Sequence, residues 1–280
     1  MLGSVSEAED VVREAFVRFH RADPEDVASP RAFLTTVTTR LATDALRSAR
    51  ARRERYVGEW LPEPLVADTA EEAQEHAELA ESLSMAFLVL LETLSPVERA
   101  VFLLHDILDH PYAELAAIVG KSEDNCRQIA ARARRHVDAR RPRFGASRAA
   151  REEIGRRFLA AAEEGDTAGL VDLLTADAAL HGDGGGKAPA IARPVKGRQQ
   201  VARAVAGLVR LARRMGLQQR PTTVNGQLGA LYIDADGRLI NVVALEIAEG
   251  GVRAVCSIVN PDKLRHVGAV GDVNRLIRRR

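Results

Sequence analysis

Through the first half of the chain, apolar residues recur at spacings of three and four, the pattern of helices that bury one face. Ser6 with Glu9 three residues on reads as a capping box, and it predicts a helix whose apolar face is Val12, Ala15, Phe16 and Phe19. Asp23-Pro24 and Ser29-Pro30 bracket a loop. A second helix is predicted over about residues 30–55, with Phe33, Leu34, Val37, Leu41, Ala45 and Leu46 at helical spacing. Trp60-Leu61-Pro62-Glu63-Pro64-Leu65 cannot be helical throughout, because each proline lacks a donor and restricts its predecessor. It reads as a linker that holds the chain's single tryptophan. Helical spacing resumes from about Thr69 through Leu79, Leu83, Phe87, Leu90 and Leu94. Ser95-Pro96 caps the next helix, which contains Val97, Ala100, Val101 and Leu104. A short helix is predicted over 111–119, Gly120-Lys121 turns the chain, and Ser122 caps a helix through Val137. Pro142 and Gly145 close this region.

After about Ala150 the texture changes. Helices near 152–163 and 167–174 precede strand-like runs at 179–181, 230–233, 239–247 and 252–259, with a long helix over 199–215 among them. Helices followed by a meandering antiparallel sheet predict an α+β domain. No internal repeat or low-complexity tract is evident.

Charge sharpens this outline. The 280 residues carry a net charge of +1, so the molecule as a whole is not a basic nucleic-acid binder. Its distribution says more: residues 31–55 hold seven arginines against Asp44 and Glu54, and residues 127–143 hold seven against Asp138. Between them, residues 56–98 hold ten acidic residues and no Lys or Arg. Two basic blocks around an acidic spacer suggest two DNA-contacting elements joined by a segment that avoids DNA; the bland alternative is solvated helix faces. Cys126 and Cys256 are the only cysteines, too few for a disulfide framework or a zinc site, which fits a reducing cytoplasm. The first ten residues are too polar for a signal peptide, and no apolar run approaches the roughly 18–20 residues of a membrane span.

Residues 112–137 read as a helix-turn-helix. Leu115, Ile118 and Val119 give the first helix an apolar face, Gly120 permits the tight turn, and Ser122 satisfies free amides of the second helix. On that helix Cys126, Ile129, Ala130, Ala133 and Val137 share an inward face. Asn125, Arg127, Gln128, Arg132 and Arg134 lie mostly outside it, and such side chains hydrogen-bond base edges or hold phosphates. An ordinary αα-hairpin is the alternative.

Leu94-Ser95-Pro96-Val97-Glu98-Arg99-Ala100-Val101-Phe102, Tyr112-Ala113-Glu114-Leu115-Ala116 and Cys126-Arg127-Gln128-Ile129-Ala130-Ala131-Arg132-Ala133-Arg134 together resemble region 4 of extracytoplasmic-function RNA polymerase sigma factors. Ala8-Glu9-Asp10-Val11-Val12-Arg13-Glu14-Ala15-Phe16 resembles region 2.2 of that family. Phe33-Leu34-Thr35-Thr36-Val37-Thr38-Thr39-Arg40-Leu41 and the basic helix after it resemble regions 2.3–2.4. The resemblance implies a two-part promoter reader on core RNA polymerase, contacting its beta-prime and beta subunits. Ser122, Asn125, Arg127, Gln128, Arg132 and Arg134 would serve the −35 element. Arg40, Arg47 and Arg50 would line the melted −10 strand, beside a base held by the loop at 20–30. Glu9, Asp10, Arg13 and Glu14 would face the polymerase. The family normally has one more helix in region 2 before the Met1-Leu2-Gly3-Ser4 segment, so an incomplete region 2 is expected.

The carboxy-terminal third resembles a SnoaL-like domain of the NTF2-like cone fold. Trp60 to Leu65, Asp183-Gly184-Gly185-Gly186-Lys187 and Asn260-Pro261-Asp262-Lys263-Leu264 resemble motifs of the SigJ-like group. In that group the extension takes the place of a separate anti-sigma factor and modulates activity through contacts with the linker and the sigma domains. Trp60, Pro62, residues 183–187 and residues 260–264 are therefore the expected regulatory contacts. The expected fold is multidomain, two all-α sigma domains followed by an α+β NTF2-like cone. The boundaries expected are region 2 at 1–57, a linker at 58–78, region 4 at 79–143, the cone at 151–268 and a basic tail at 269–280.

Some chemistry remains open on the residues alone. The glycine run before Lys187 lacks the Ser/Thr and the spaced first glycine of a phosphate-binding loop. A tight loop contacting another domain fits better. His181 and Asp183 share a strand face and are candidates for an acid/base pair aimed into a cavity, against the plainer reading of a core histidine. Cys256 alternates with Ala254 and Ile258 as a small core residue. No cofactor, metal or catalytic residue is expected; the cone cavity is a candidate pocket for a small molecule. Two competing readings stay in view: a ligand-responsive helix-turn-helix regulator acting without polymerase, and a SnoaL-type enzyme fused to a DNA-binding region.

Overall fold

The computed structural model describes the chain except residues 24, 26, 28, 54–55, 68, 70, 73, 75–83, 140–146, 249 and 279–280, together with the side chains of 49–53. Pro24, Leu79, Leu83, Pro142, Gly145 and the Arg50 side chain thus lie outside the described residues. The chain forms two compact units, one of Met1–Arg55 with Val89–Arg141 and one of Tyr56–Leu88 with Pro142–Arg280.

The first unit is helical: α1 (Val5–Arg21), α2 (Pro30–Arg53), α4 (Pro96–Phe102), α5 (Tyr112–Val119) and α6 (Glu123–Asp138), while α3 (Met85–Leu91) spans the division between units. The cap of α1 is Ser4, whose hydroxyl accepts from the Glu7 amide at 3.3 Å, so Ser6 lies inside the first turn. The buried stripe of α1 is Val11 and Ala15, whereas Val12 and Phe16 are 46% and 49% exposed. The expected apolar face is therefore rotated by about one residue. Leu2, Val11, Ala42 and Leu46 form the α1/α2 core, and the small Ala15 and Ala42 let the helices approach. Ser95 and Glu98 make a reciprocal capping box on α4, which runs on through a π-helical turn at Leu103–Ile107 closed by the Leu108 amide on the Leu103 carbonyl at 3.0 Å.

In the second unit, α7 (Arg148–Glu164), α8 (Thr167–Leu173), α9 (Arg198–Arg214) and α10 (Val273–Arg278) accompany a six-stranded sheet of order β2-β1-β6-β5-β4-β3. The strands are β1 (Leu174–Asp183), β2 (Val195–Lys196), β3 (Gln218–Val224), β4 (Gln227–Ile233), β5 (Leu239–Ala248) and β6 (Gly251–Ile258). Strands β3 to β6 form the expected antiparallel meander, but β1 pairs with β6 in parallel, so the sheet is mixed. Nothing local in the sequence encodes that pair, because a parallel ladder joins residues separated by a long crossover. Strand β3 was not expected, since it carries Pro221 and few apolar residues; it lies at the sheet edge, where a missing donor is tolerated. The segment expected as a basic tail contains α10, whose Val273 enters the core.

Alternation along the strands gives the sheet two buried faces. Val243, Leu245 and Val255 pack with Phe158, Leu170, Val201 and Val205 of the helices. Val242, Ala244, Cys256 and Ile258 point the other way and pack with Leu61, Met85 and Leu264. Helices on one face of a mixed sheet, with a cavity between them, make up the α+β body. Among the described residues no helix is long and apolar enough to cross a membrane.

Candidate nucleic-acid interface and the strapped sheet

The helix-turn-helix forms as its residues dictate. Gly120 adopts φ +67°, the left-handed conformation that ends α5, and the Ser122 hydroxyl accepts from the Asn125 amide at 3.3 Å to open α6. Cys126, Ile129, Ala130, Ala133 and Val137 are all buried. Asn125 and Gln128 are exposed on the opposite side. The arginines of this face are partly engaged. Arg127 pairs with Asp124 and Glu123 at 2.6 and 2.8 Å, Arg134 pairs with Asp106, and Arg132 lies 3.8 Å from Glu98. Such exposed pairs contribute at most about 1 kcal/mol each.

On α1, Glu9, Asp10, Arg13 and Glu14 are exposed, with local pairs of Asp10 to Arg13 and Glu14 to Arg18. Val12 and Phe16 share the face of Glu9 and Arg13, which makes an exposed apolar pair that the sequence reading had assigned to the core. On α2, Arg47 is exposed and pairs with Asp44 at 2.8 Å. Arg40 donates to the Ile118 and Ala117 carbonyls, each at 3.1 Å, closing the end of α5.

In the second unit the linker is a strap, held on the sheet by a clamp. Asp183, at the end of β1, is fully buried. Its carboxylate accepts from the Tyr56 hydroxyl, from the Leu61 amide at 2.8 Å and from Lys263 Nζ at 2.7 Å. Lys263 also donates to the Leu61 carbonyl and lies over the Trp60 ring at 4.1 Å and the Tyr56 ring at 4.9 Å, positions that favour a desolvated cation. Asn260 donates to the Tyr56 oxygen at 2.7 Å, and its own Oδ1 accepts from the Asp262 amide at 3.1 Å, starting the turn that carries Pro261. Burial, then the Asp183 carboxylate, pushes the Tyr56 phenol up, so it remains a donor. Further along, Pro62 is buried, Leu65 exchanges two hydrogen bonds with Asn225, and Val66 pairs with Val224 of β3. Leu264 is buried beneath the strap beside Leu61.

The glycine run serves this clamp sterically. Gly184 accepts from the Lys187 and Ala188 amides in a tight turn. A Cβ on Gly185, at φ +58°, would sit 2.3 Å from Asn260 Nδ2 and 2.9 Å from the Tyr56 oxygen, and one on Gly186 would meet Val57 at 3.0 Å. Lys187 pairs with Asp262 and closes the same loop.

His181 and Asp183 do share a strand face, but it is the strap face. His181 Nδ1 meets Glu59 Oε1 at 2.8 Å, while their neighbours Leu180 and Gly182 line the cavity. The acid/base pair aimed into the cavity is thereby corrected. Sequence reading also missed Glu246. Its Oε1 accepts from the Ala86 amide at 2.6 Å, its Oε2 has no hydrogen-bond partner among the described residues, and burial pushes its carboxyl up to about 7. Nearby Cys256 is a buried core thiol whose pKa burial raises well above the usual value. Among the described residues no cluster of His, Cys, Asp and Glu could hold a metal ion.

A helix-turn-helix in an arginine-bearing helical unit, joined to a strapped α+β body, defines a DNA-binding transcription factor. Residues 84–137 match the family model of Sigma-70, region 4, and residues 1–52 that of Sigma-70 region 2. The chain is 40% identical over 272 residues to the ECF RNA polymerase sigma factor SigJ of Mycobacterium tuberculosis strain H37Rv, covering 94% of this chain and 87% of that protein. It is 36% identical over 176 residues to the probable ECF RNA polymerase sigma factor SigI of strain CDC 1551, covering 62% and 60%. The crystal structure of Mycobacterium tuberculosis SigJ matches with a TM-score of 0.74 at 37% identity, covering 94% of this chain and 91% of that one. The chain belongs to the extracytoplasmic-function RNA polymerase sigma factors. It is a transcription initiation factor that binds core RNA polymerase and promoter DNA.

Proposed function

We propose that this sigma factor reads promoters with α6 and α2 and is modulated in cis by its NTF2-like body, through the strap. Asn125 and Gln128 read base edges of the −35 element, with Ser122 fixing the helix start. Arg127, Arg132 and Arg134 hold phosphates, leaving their intramolecular carboxylates as DNA arrives. Arg40, Arg47 and Arg50 line the −10 strand, which requires Arg40 to leave the carbonyls at the end of α5. Glu9, Asp10, Arg13 and Glu14, with Val12 and Phe16 between them, face the polymerase beta-prime and beta subunits. The protein acts in the cytoplasm and contributes no bond-making chemistry of its own.

The observation that carries the cis-regulatory reading is the Asp183 clamp. A fully buried carboxylate is costly unless paired, and this one is satisfied largely by the linker between the two sigma regions. The strap's state thus constrains the segment that links the promoter-reading helices. Run-off transcription with core polymerase, comparing the wild-type chain with Gly185→Val, tests it: altered promoter-specific output is expected, and unchanged output would refute modulation through the strap.

A further inference from the structure

Between α7, α9 and the sheet lies a cavity of about 340 Å³, at the small end of the range for small-molecule sites. A concave, largely apolar space of this size that opens to solvent has the usual form of a small-molecule site. Its walls are mostly apolar; the polar side chains among them are Tyr232, whose hydroxyl donates to Gln219 at 2.7 Å, and the pair Asn241 and Ser257. Asn241 and Ser257 both line it, and the Ser257 hydroxyl donates to Asn241 Oδ1 at 3.2 Å, so among the described residues the Asn241 amide N–H groups are the donors this wall has to offer. At the mouth, Leu208, Leu211 and Ile277 are 40%, 38% and 40% exposed, an apolar rim that solvent alone would not favour.

The cavity wall and the strap clamp are made of the same backbone. Gly182 and Val259 line the cavity; Asp183 and Asn260, the next residue along the chain in each case, hold the strap. The Val259 and Asn260 amides both donate to the Asp183 carbonyl, at 2.9 and 3.0 Å, locking the two together. A molecule pressing on Gly182 and Val259 from one side bears on the clamp at the other.

We propose that this cavity binds a neutral, largely apolar small molecule carrying one carbonyl-type acceptor for Asn241, and that its occupancy shifts the strap. The binding half stands on the cavity alone, and the strap half rests on the cis-regulatory reading above. The neutral naphthalene ketone prodan, whose emission shifts to the blue in apolar surroundings, is the probe for the full chain. Saturable, one-to-one, blue-shifted binding is expected. Asn241→Leu should weaken it about tenfold, the loss of one hydrogen bond, and Val243→Phe, which fills the space, should abolish it. Thermal melts establish that each variant is folded, and displacement by the spectroscopically silent ketone cyclododecanone reports the site without any substitution. Absence of saturable binding to the folded wild type, or binding indifferent to Asn241→Leu and to cyclododecanone, overturns the site. Emission of Trp60, the single tryptophan, reports the strap: it should change with cyclododecanone at the midpoint where prodan is displaced. Displacement without a Trp60 response overturns the coupling and leaves the clamp itself unaffected.

Discussion

Replacing Asp183 by alanine strands three donors at once, and the largest cost falls on Lys263. Lys263 is 6% exposed and would lose its carboxylate while keeping the Leu61 carbonyl and the faces of Tyr56 and Trp60. Removing one partner of a buried ion pair costs about 3–5 kcal/mol, and an orphaned buried amide such as that of Leu61 about 1–3 kcal/mol more, not additively. The protein can escape by letting the strap go, which re-solvates Lys263 and forfeits chiefly the burial of Leu61, roughly 1.5–3 kcal/mol. Strap release is therefore the cheaper response, with the α+β body still folded. Trp60 emission should move to the red and intensify its response to aqueous quenchers, while urea unfolding of the body shifts by about 1.5–3 kcal/mol, the cost of that release. A cycle with Lys263→Met sharpens the test. Asp183→Asn with Lys263→Met leaves no charge in the clamp and should cost less than the sum of the single changes, by roughly 1.5 kcal/mol or more. Strict additivity, or an Asp183→Ala protein whose Trp60 emission matches wild type, would refute the clamp.

Other outcomes follow from the same structure. The Glu246 carboxyl is raised from 4.5 to about 7 by burial. The folded state holds its proton more tightly than the unfolded chain, so its burial costs stability as pH rises through that window, up to about 3 kcal/mol. Urea melts should therefore find Glu246→Gln, which keeps the acceptor for Ala86, more stable than wild type at pH 8 with the gap narrowing toward pH 5; a gap independent of pH contradicts this. Asn125→Ala and Gln128→Ala should each weaken binding to the −35 element by about 1–3 kcal/mol with loss of sequence discrimination, whereas Arg132→Ala weakens binding to all sequences alike; competition binding over a range of salt concentrations separates the two behaviours. Arg40→Ala removes two hydrogen bonds from the end of α5 and should lower the stability of the helical unit by about 0.5–1.5 kcal/mol in thermal melts. No change would mean those contacts are absent in solution.

What could be read from the sequence was local. Ser95, Gly120 and Ser122 fix their turns through one or two hydrogen bonds to near neighbours, and the small buried residues of α6 repeat at helical spacing, so these elements lie where the pattern places them. Where two solutions were close in local energy the sequence reading missed. Ser4 and Ser6 are both competent caps, and packing against Ala42 and Leu46 selects the first, turning Val12 and Phe16 outward. The parallel β1–β6 pairing joins segments some seventy residues apart, as in Asp183 with Ile258, and has no local signal. Alternation placed His181 and Asp183 on one face but could not say which side faces the cavity. Resemblance named the motif residues of the clamp, yet Tyr56 and Glu59, which complete it, lie outside those motifs and carry no sequence signal beyond their proximity to Trp60.

The most direct measurement is promoter-specific run-off transcription from core RNA polymerase with the full chain and its Asp183→Ala variant, alongside Trp60 emission of the same samples. The account predicts a promoter-dependent transcript with the wild-type chain, and a several-fold change in output from the variant that accompanies the change in Trp60 emission. Equal output from both proteins, with the strap demonstrably released in the variant, would contradict it.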